Sequence, residues 1–285
     1  VSGSTARIFR SRTSIEYFTP PAGFQPGNFW GPQAGINASG KVVGALENDT
    51  AQRAFIWWHN GGTTLFQPTF PAVPPEGPLG CGAWAINDSG YAVGTCMPNV
   101  NWFEIEWRPD GTVNQYNCCG VLTAIANNQY MTGYDLTFDP PIALLWPPGA
   151  SYYTLIGLNN GQMEQSEGLA VNTNGWVAGY AVVTGTDQSA MLWVPGQSQR
   201  ILSHLGQATG VDNLGNVAGY HRDTPTGPRT AFLWNFATGA HFLPGLPGGG
   251  ETAAVAINSN HEILGWAIDN QGLRHTVIWR FPTQS

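Results

Sequence analysis

Four aromatic side chains stand where contact with a ligand is easiest to read. Tyr134, Tyr180, Tyr220 and Trp266 each follow a recurring glycine, Gly133, Gly179, Gly219 and Gly265. In two further copies of that position the residue is Ala45 or Thr95. A ring of this kind offers an apolar platform to the C–H faces of a sugar, whose hydroxyls then need a few directed polar partners. Asp135 and His221 adjoin two of the aromatics, and Arg222, Asp223 and Asp269 lie close by in the chain. Tyr134, Tyr180, Tyr220, Trp266, Asp135 and His221 therefore form the candidate ligand-binding set. The competing use of the same rings is packing between neighbouring elements.

Other chemistry is weakly signalled. No His/Cys spacing suits zinc, and no alternating Asp/Asn loop suits calcium. A Gly-x-Ser-x-Gly elbow and a phosphate-cradling glycine loop are both missing from the sequence. The six histidines, His59, His204, His221, His241, His261 and His275, are spread along the chain. No catalytic residue, metal ligand or cofactor is assigned. Distant residues can converge in a repeat fold, so a polysaccharide-processing enzyme remains an alternative. A formal net charge of −7 with scattered basic residues argues against nucleic acid. No apolar run approaches the ~20 residues that a membrane span needs.

A tandem repeat positions these residues. Trp57, Trp107, Trp146, Trp193, Trp234 and Trp279 each lie 13 to 15 residues after an equivalent glycine, Gly44, Gly94, Gly133, Gly179, Gly219 and Gly265. A second marker precedes each glycine: Ile36-Asn37, Ile86-Asn87, Ile125-Ala126, Val171-Asn172, Val211-Asp212 and Ile257-Asn258, spaced by 50, 39, 46, 40 and 46 residues. That period is the length of a four-stranded propeller blade. Turns rich in Asn, Asp, Ser and Gly follow each marker and suit tight hairpins. Third strands such as Ala54–Trp57 and Ala231–Trp234 come next. The residue before each marker is small (Gly35, Ala85, Ala124, Ala170, Gly210, Ala256), as an innermost strand crowded about an axis requires. The recurring Trp read as packing residues between blades.

The expected fold is all-β: a six-bladed β-propeller of four-stranded antiparallel blades, one domain over residues 1–285. The last repeat ends after its third strand, at Arg280, with only five residues beyond. The N-terminal region 5–18 is expected to close that blade, with Ser14–Phe18 as its fourth strand. The chain begins at Val1 and not at Met, which reads as a mature or trimmed form without a signal peptide. Cys81 and Cys96 flank the turn at Asp88-Ser89, so a hairpin sets them opposite each other and within reach of a disulfide. Cys118 and Cys119 could form a vicinal bond, and four reduced thiols are the alternative. The longest insertion is Pro-rich, from Pro68 to Pro78. Asn37, Asn48 and Asn87 begin sequons.

The repeat resembles the extracellular repeats named for a His-Ala-Phe tripeptide. Its best copy runs from Leu243-Pro244-Gly245-Leu246-Pro247-Gly248-Gly249 through Ala256-Ile257-Asn258 and Gly265 to Trp279, and Ala231-Phe232-Leu233-Trp234 matches the third strand. The namesake His is replaced by Arg53 and Thr230 before the two Ala-Phe pairs. The resemblance implies an exported β-propeller and carries no catalytic residue with it. The functional expectation is a secreted, non-catalytic, lectin-like protein with a carbohydrate or glycoprotein partner. A structural protein that assembles into homo-oligomers is the main alternative.

Overall fold

The computed structural model describes residues 7–9, 15–26, 35–48, 51–59, 62–66, 80–97, 102–159, 162–163, 165–184 and 187–281. All regular structure among them is β-strand. The Pro68–Pro78 insertion lies outside the described residues. The chain divides into two compact bodies, residues 1–123 and 124–285.

The first body holds β1 (Arg7–Phe9), β2 (Ile15–Tyr17), β3 (Gln25–Pro26), β4 (Gly35–Ile36), β5 (Val42–Glu47), β6 (Gln52–Trp58), β7 (Gly62–Leu65), β8 (Gly80–Ile86), β9 (Ala92–Met97), β10 (Phe103–Trp107) and β11 (Val113–Cys118). β1 and β2 pair with each other. The rest form one nine-stranded sheet. It contains two antiparallel meanders, β4 to β7 and β8 to β11, one per sequence repeat, joined by a single parallel pairing of Gln52 with Gly80.

The chain passes into the second body along β12 (Gly120–Ile125). It continues with β13 (Met131–Asp135), β14 (Ile142–Trp146), β15 (Thr154–Leu155), β16 (Leu158–Asn159), β17 (Gln162–Met163), β18 (Ser166–Val171), β19 (Val177–Thr184), β20 (Asp187–Trp193), β21 (Arg200–Ser203), β22 (Gly206–Val211), β23 (Val217–His221), β24 (Thr230–Asn235), β25 (Gly239–Phe242), β26 (Thr252–Ile257), β27 (Glu262–Ile268) and β28 (Arg274–Arg280). Strands β12 to β15, β18 to β21 and β22 to β25 make three four-stranded meanders, β26 to β28 a three-stranded one, and β16 pairs with β17.

The hairpin from first to second strand is built by the marker Asn/Asp. Its Oδ1 accepts the backbone N–H four residues on in five repeats: Lys41, Tyr91, Trp176, Asn216 and Glu262, at 2.9–3.0 Å. The same side chain also ties repeats together, since Asn37 Nδ2 donates to the Asn87 carbonyl at 3.0 Å and Asn172 Nδ2 to the Asp212 carbonyl at 2.8 Å. Asn37 and Asn87 are 8% and 3% exposed, so these two sequons present no free amide to a glycan.

A bulge that sequence reasoning did not anticipate recurs on the first strand. In four repeats the register skips one residue, Trp84, Leu169, Thr209 or Val255, opposite the recurring glycine. A Cβ at Gly179 would stand 1.9 Å from the Glu167 carbonyl oxygen, and one at Gly265 2.3 Å from that of Ala253 and 2.5 Å from the Trp279 ring. The glycine thus accepts both the bulged strand and the indole, which explains why Gly and Trp recur as a pair. The small inner residue is also accounted for: a Cβ at Gly35 would lie 2.8 Å from Ala85 Cα, and one at Gly210 2.9 Å from the Ile257 nitrogen.

The six recurring Trp are 2–9% exposed. Their clusters mix consecutive repeats: Ile105 and Trp107 with Val43 and Ala54, Trp193 with Leu145, Trp234 with Leu192, and Trp279 with Ala218. Each buried indole contributes roughly 4–6 kcal/mol by area. Against Trp57, the first of the six, packs Phe18, edge-on to Trp57 at 6.3 Å and stacked on Phe55 at 4.9 Å.

The expected disulfide is present. Cys81 and Cys96 face each other across β8 and β9, with Cα atoms 4.1 Å apart. The described part of the N-terminal segment pairs locally. Ser14 lies outside the described residues, Ile15–Tyr17 pairs with Arg7–Phe9, and the last meander has three strands among the described residues.

Candidate functional site

Register gives the four aromatics one equivalent place. Tyr134, Tyr180 and Tyr220 lie opposite Ala143, Ala190 and Ala231 on the third strand, and Trp266 opposite Thr276. The small partner leaves room for the ring. The tyrosines influence one another's ionisation: burial first, then the charge of Glu167, raises Tyr134 and Tyr180, and Tyr180 also feels Tyr134 and Tyr220. Glu167, across from Tyr180 in the β18–β19 register, is itself raised by burial and accepts the Tyr180 hydroxyl.

Accessibility divides the set. Tyr180 is 5% exposed and enclosed; Tyr134 is half-buried, and so are Tyr220 and Trp266. Around these two gather three of the chain's arginines. Arg229 lies 5.1 Å from the Tyr220 ring centre and 5.7 Å from that of Trp266, Arg222 5.9 Å from Tyr220, and Arg274 4.1 Å from Trp266. Glu251 partners Arg229 at 3.4 Å. The result is an alternating row of guanidinium and ring, Arg222–Tyr220–Arg229–Trp266–Arg274. Beside it opens a cleft of about 160 Å³ lined by Asp187, Gln188, Leu205, Gly206, Tyr220 and Arg222, with Pro225 at its edge. Gln188 is held by Gln207 Nε2 at 2.7 Å.

The polar neighbours chosen from the sequence are occupied within the fold. Asp135 is 1% exposed. Its Oδ1 accepts Thr137 N and Oγ1 at 2.8 and 2.6 Å, and its Oδ2 accepts the Tyr153 hydroxyl. His221 stands between Ser203 Oγ, 2.7 Å from Nδ1, and Asp223 Oδ1, 3.0 Å from Nε2. The order Ser–His–Asp suggests a nucleophile, but Nδ1 also lies 2.9 Å from the His204 carbonyl, to which Ser203 itself donates at 3.0 Å. With Ser203 Oγ donating to the His204 carbonyl, the hydroxyl is tied to the backbone beside it. The trio is a clamp on the β21–β22 link, with Phe242 against the imidazole at 5.6 Å.

Sequence reasoning noted Arg222 beside Tyr220 but missed Arg229 and Arg274, which occupy non-equivalent places in their repeats and leave no periodic trace. It also missed Glu106. This carboxylate is 2% exposed and accepts Arg108 Nε, Asn114 Nδ2 and Tyr116 OH at 3.2, 2.8 and 3.1 Å. Burial, then the Glu106 charge, pushes Tyr116 up to about 12. Among the described residues no group of three or more His, Cys, Asp or Glu is placed to hold a metal ion. No helix there is long and apolar enough to cross a membrane.

No protein-family model matches the sequence, and the comparison with curated proteins gives no match. Among solved structures, TolB from Acinetobacter baumannii aligns over 85% of this chain at 12% identity and a TM-score of 0.53. The chain spans 64% of TolB's length. A gluconolactonase from Xanthomonas campestris aligns over 85% of both chains at 11% identity and a TM-score of 0.45. A fucose-specific lectin from Aleuria aurantia aligns over 74% of this chain and 75% of its own at 11% identity and a TM-score of 0.42. These neighbours are β-propeller proteins. At such identity the TolB likeness concerns the fold alone: successive antiparallel meanders of the β-propeller kind.

Proposed function

We propose that the protein is an exported, non-catalytic, six-bladed β-propeller that binds carbohydrate through its second-strand aromatics and the loops beside them. One observation carries the binding reading: two half-buried aromatics, Tyr220 and Trp266, stand together with three guanidinium groups beside a polar cleft. Ring and cation side by side suit a sugar that offers C–H faces and acceptor oxygens. In this reading Tyr180, Asp135 and His221 serve the fold, engaged by Glu167, by Thr137 and Tyr153, and by Ser203 and Asp223. The Cys81–Cys96 bond supports an oxidising, extracellular setting. The likeness to His-Ala-Phe-type extracellular repeats supports the same setting.

A glycan array with the wild type and with Tyr220→Ala and Trp266→Ala tests the function. Glycan signal lost in both variants, with near-ultraviolet circular dichroism unchanged, is the expected outcome. A flat array for the wild type sinks the lectin reading.

The six-bladed ring is supported by one meander per repeat and by Phe18, which follows the N-terminal strands and packs on Trp57. It requires the face carrying Leu264 and Ile278, paired neighbours that are 43% and 49% exposed, to be covered. That exposed pair also favours a second reading, an assembling structural protein in which another copy covers the face. Deleting residues 1–18 separates the two. Ring closure by the N-terminal segment predicts a large fall in melting temperature for a monomer. Assembly predicts light scattering that grows with concentration in the intact chain.

A further inference from the structure

A further cleft in the second body is lined by none of the aromatics and arginines of the row. It measures about 590 Å³, within the range of small-molecule sites, and separates the hairpin that follows β20 from the β14–β15 edge of the preceding meander. Its floor is apolar: Leu145, Val177 and the Trp193 ring belong to one core cluster, against which Tyr130 packs from the side. Its rim is polar and uncharged, with Thr154, Gln197, Ser198 and Gln199. The hairpin that supplies the rim is fixed by Gln197 N donating to the Val194 carbonyl at 3.0 Å and by Gly196 at a φ of 73°.

No Asp, Glu, Lys, Arg or His lines this cleft. An ionised ligand would lose hydration there without a counter-charge, so the occupant is neutral. Amides and hydroxyls above an apolar floor match a molecule with alternating hydroxyl edges and C–H faces. A proline-rich peptide fits less well. Its carbonyls call for an indole donor, and Trp193 Nε1 already donates to Gln199 Oε1 at 3.3 Å. We infer that this cleft is a second binding site, specific for a short stretch of uncharged oligosaccharide. It shares no residue with the Tyr220–Trp266 site, whose arginines favour the opposite ligand chemistry.

Isothermal titration of the full chain tests this, using uncharged gluco-, manno-, galacto- and xylo-oligosaccharides, oligogalacturonate as the charged probe and a proline-rich peptide. At least one uncharged oligosaccharide should bind, with an affinity that hardly changes with salt. Gln197→Ala and Gln199→Ala, on the rim, should each weaken that binding by about tenfold, as loss of a directed hydrogen bond implies. Tyr220→Ala should leave it unchanged, so failure at one site is distinguishable from failure at the other. Absence of binding by every uncharged oligosaccharide overturns the inference. So does binding that survives the double rim variant, or tighter binding of the oligogalacturonate or the peptide at this cleft.

Discussion

At the residue scale the most telling substitution is one the protein makes in its own repeat. Four copies carry Asn at the turn marker, and the fifth carries Asp212. An Asp accepts the turn N–H groups as Asn does, from Leu214 and Asn216 at 2.9 Å each, but it has no amide to donate. Its second oxygen is buried, with the side chain 1% exposed, and needs a donor. His261 supplies one at 2.9 Å from the next turn, with Asn216 Nδ2 at 2.7 Å. His261 itself stands at a φ of 59°, where four of the other copies use glycine and one uses Gln129. Asp212 and His261 are thus one change written at two positions. His261→Ala should cost about 1–3 kcal/mol, because a buried carboxylate loses a partner. Adding Asp212→Asn should recover most of that loss, since it restores the residue the other copies use. Thermal melts of the two single variants and the double variant give the coupling. Additive losses would refute it.

At the element scale the recurring glycine is a packing requirement of the bulge. Gly179→Ala places a methyl group where the Glu167 carbonyl already is. The bulge or the hairpin must shift, and a loss of several kcal/mol follows, in the range of other overpacked sites. Gly250→Ala is the matched control, since nothing lies within 4 Å of its Cβ position. It should change the melting temperature by no more than a degree or two. Equal effects at the two sites would mean that glycine serves only chain flexibility.

The glycine, the Trp and the turn Asn were legible because each repeats: periodicity exposes whatever every copy must solve. The disulfide was legible because hairpin geometry follows from turn chemistry. The bulge was not, since the skipped residue is Trp84, Leu169, Thr209 or Val255, with no common chemistry. The two clefts were hidden for the same reason. Their linings come from loop ends and a hairpin rim, where each repeat differs. Asp135 was chosen for its place beside an aromatic, and adjacency in the chain says nothing of which face of the strand a carboxylate occupies. Alternation sends it to the other side, where Tyr153 and Thr137 engage it.

At the scale of the molecule, the row of tyrosines makes stability depend on alkaline pH. Tyr134, Tyr180 and Tyr220 are all raised above the ordinary phenol value of 10, in each case mainly by burial. A group raised on folding contributes its full stability below its unfolded value and loses it as pH climbs toward the folded one. The melting temperature should therefore hold up to about pH 10 and then fall, each resisting phenol withdrawing at most about 1.4 kcal/mol per pH unit. Composition makes the signal readable. With a single lysine in the chain against nine tyrosines, phenols dominate the side chains that change charge in this range. Tyr134→Phe removes one such group and should make the alkaline decline shallower without altering the neutral melt by more than a few degrees.

Glu167 obeys the same sign at the acid end. Raised by burial, it adds most when protonated, below the ordinary carboxylate value of 4.5, and that part is lost as pH rises through its folded value. Glu167→Gln keeps an acceptor for the Tyr180 hydroxyl while removing the ionisation. The variant should gain stability over wild type at neutral pH and match it near pH 4. It should also ease the ionisation of Tyr134 and Tyr180, since both are held up in part by its charge. Melts across pH 4–11 for the wild type, Tyr134→Phe and Glu167→Gln decide the matter. If Glu167→Gln leaves the alkaline limb where it was, the tyrosines answer to burial alone, and the row is not an electrostatic unit.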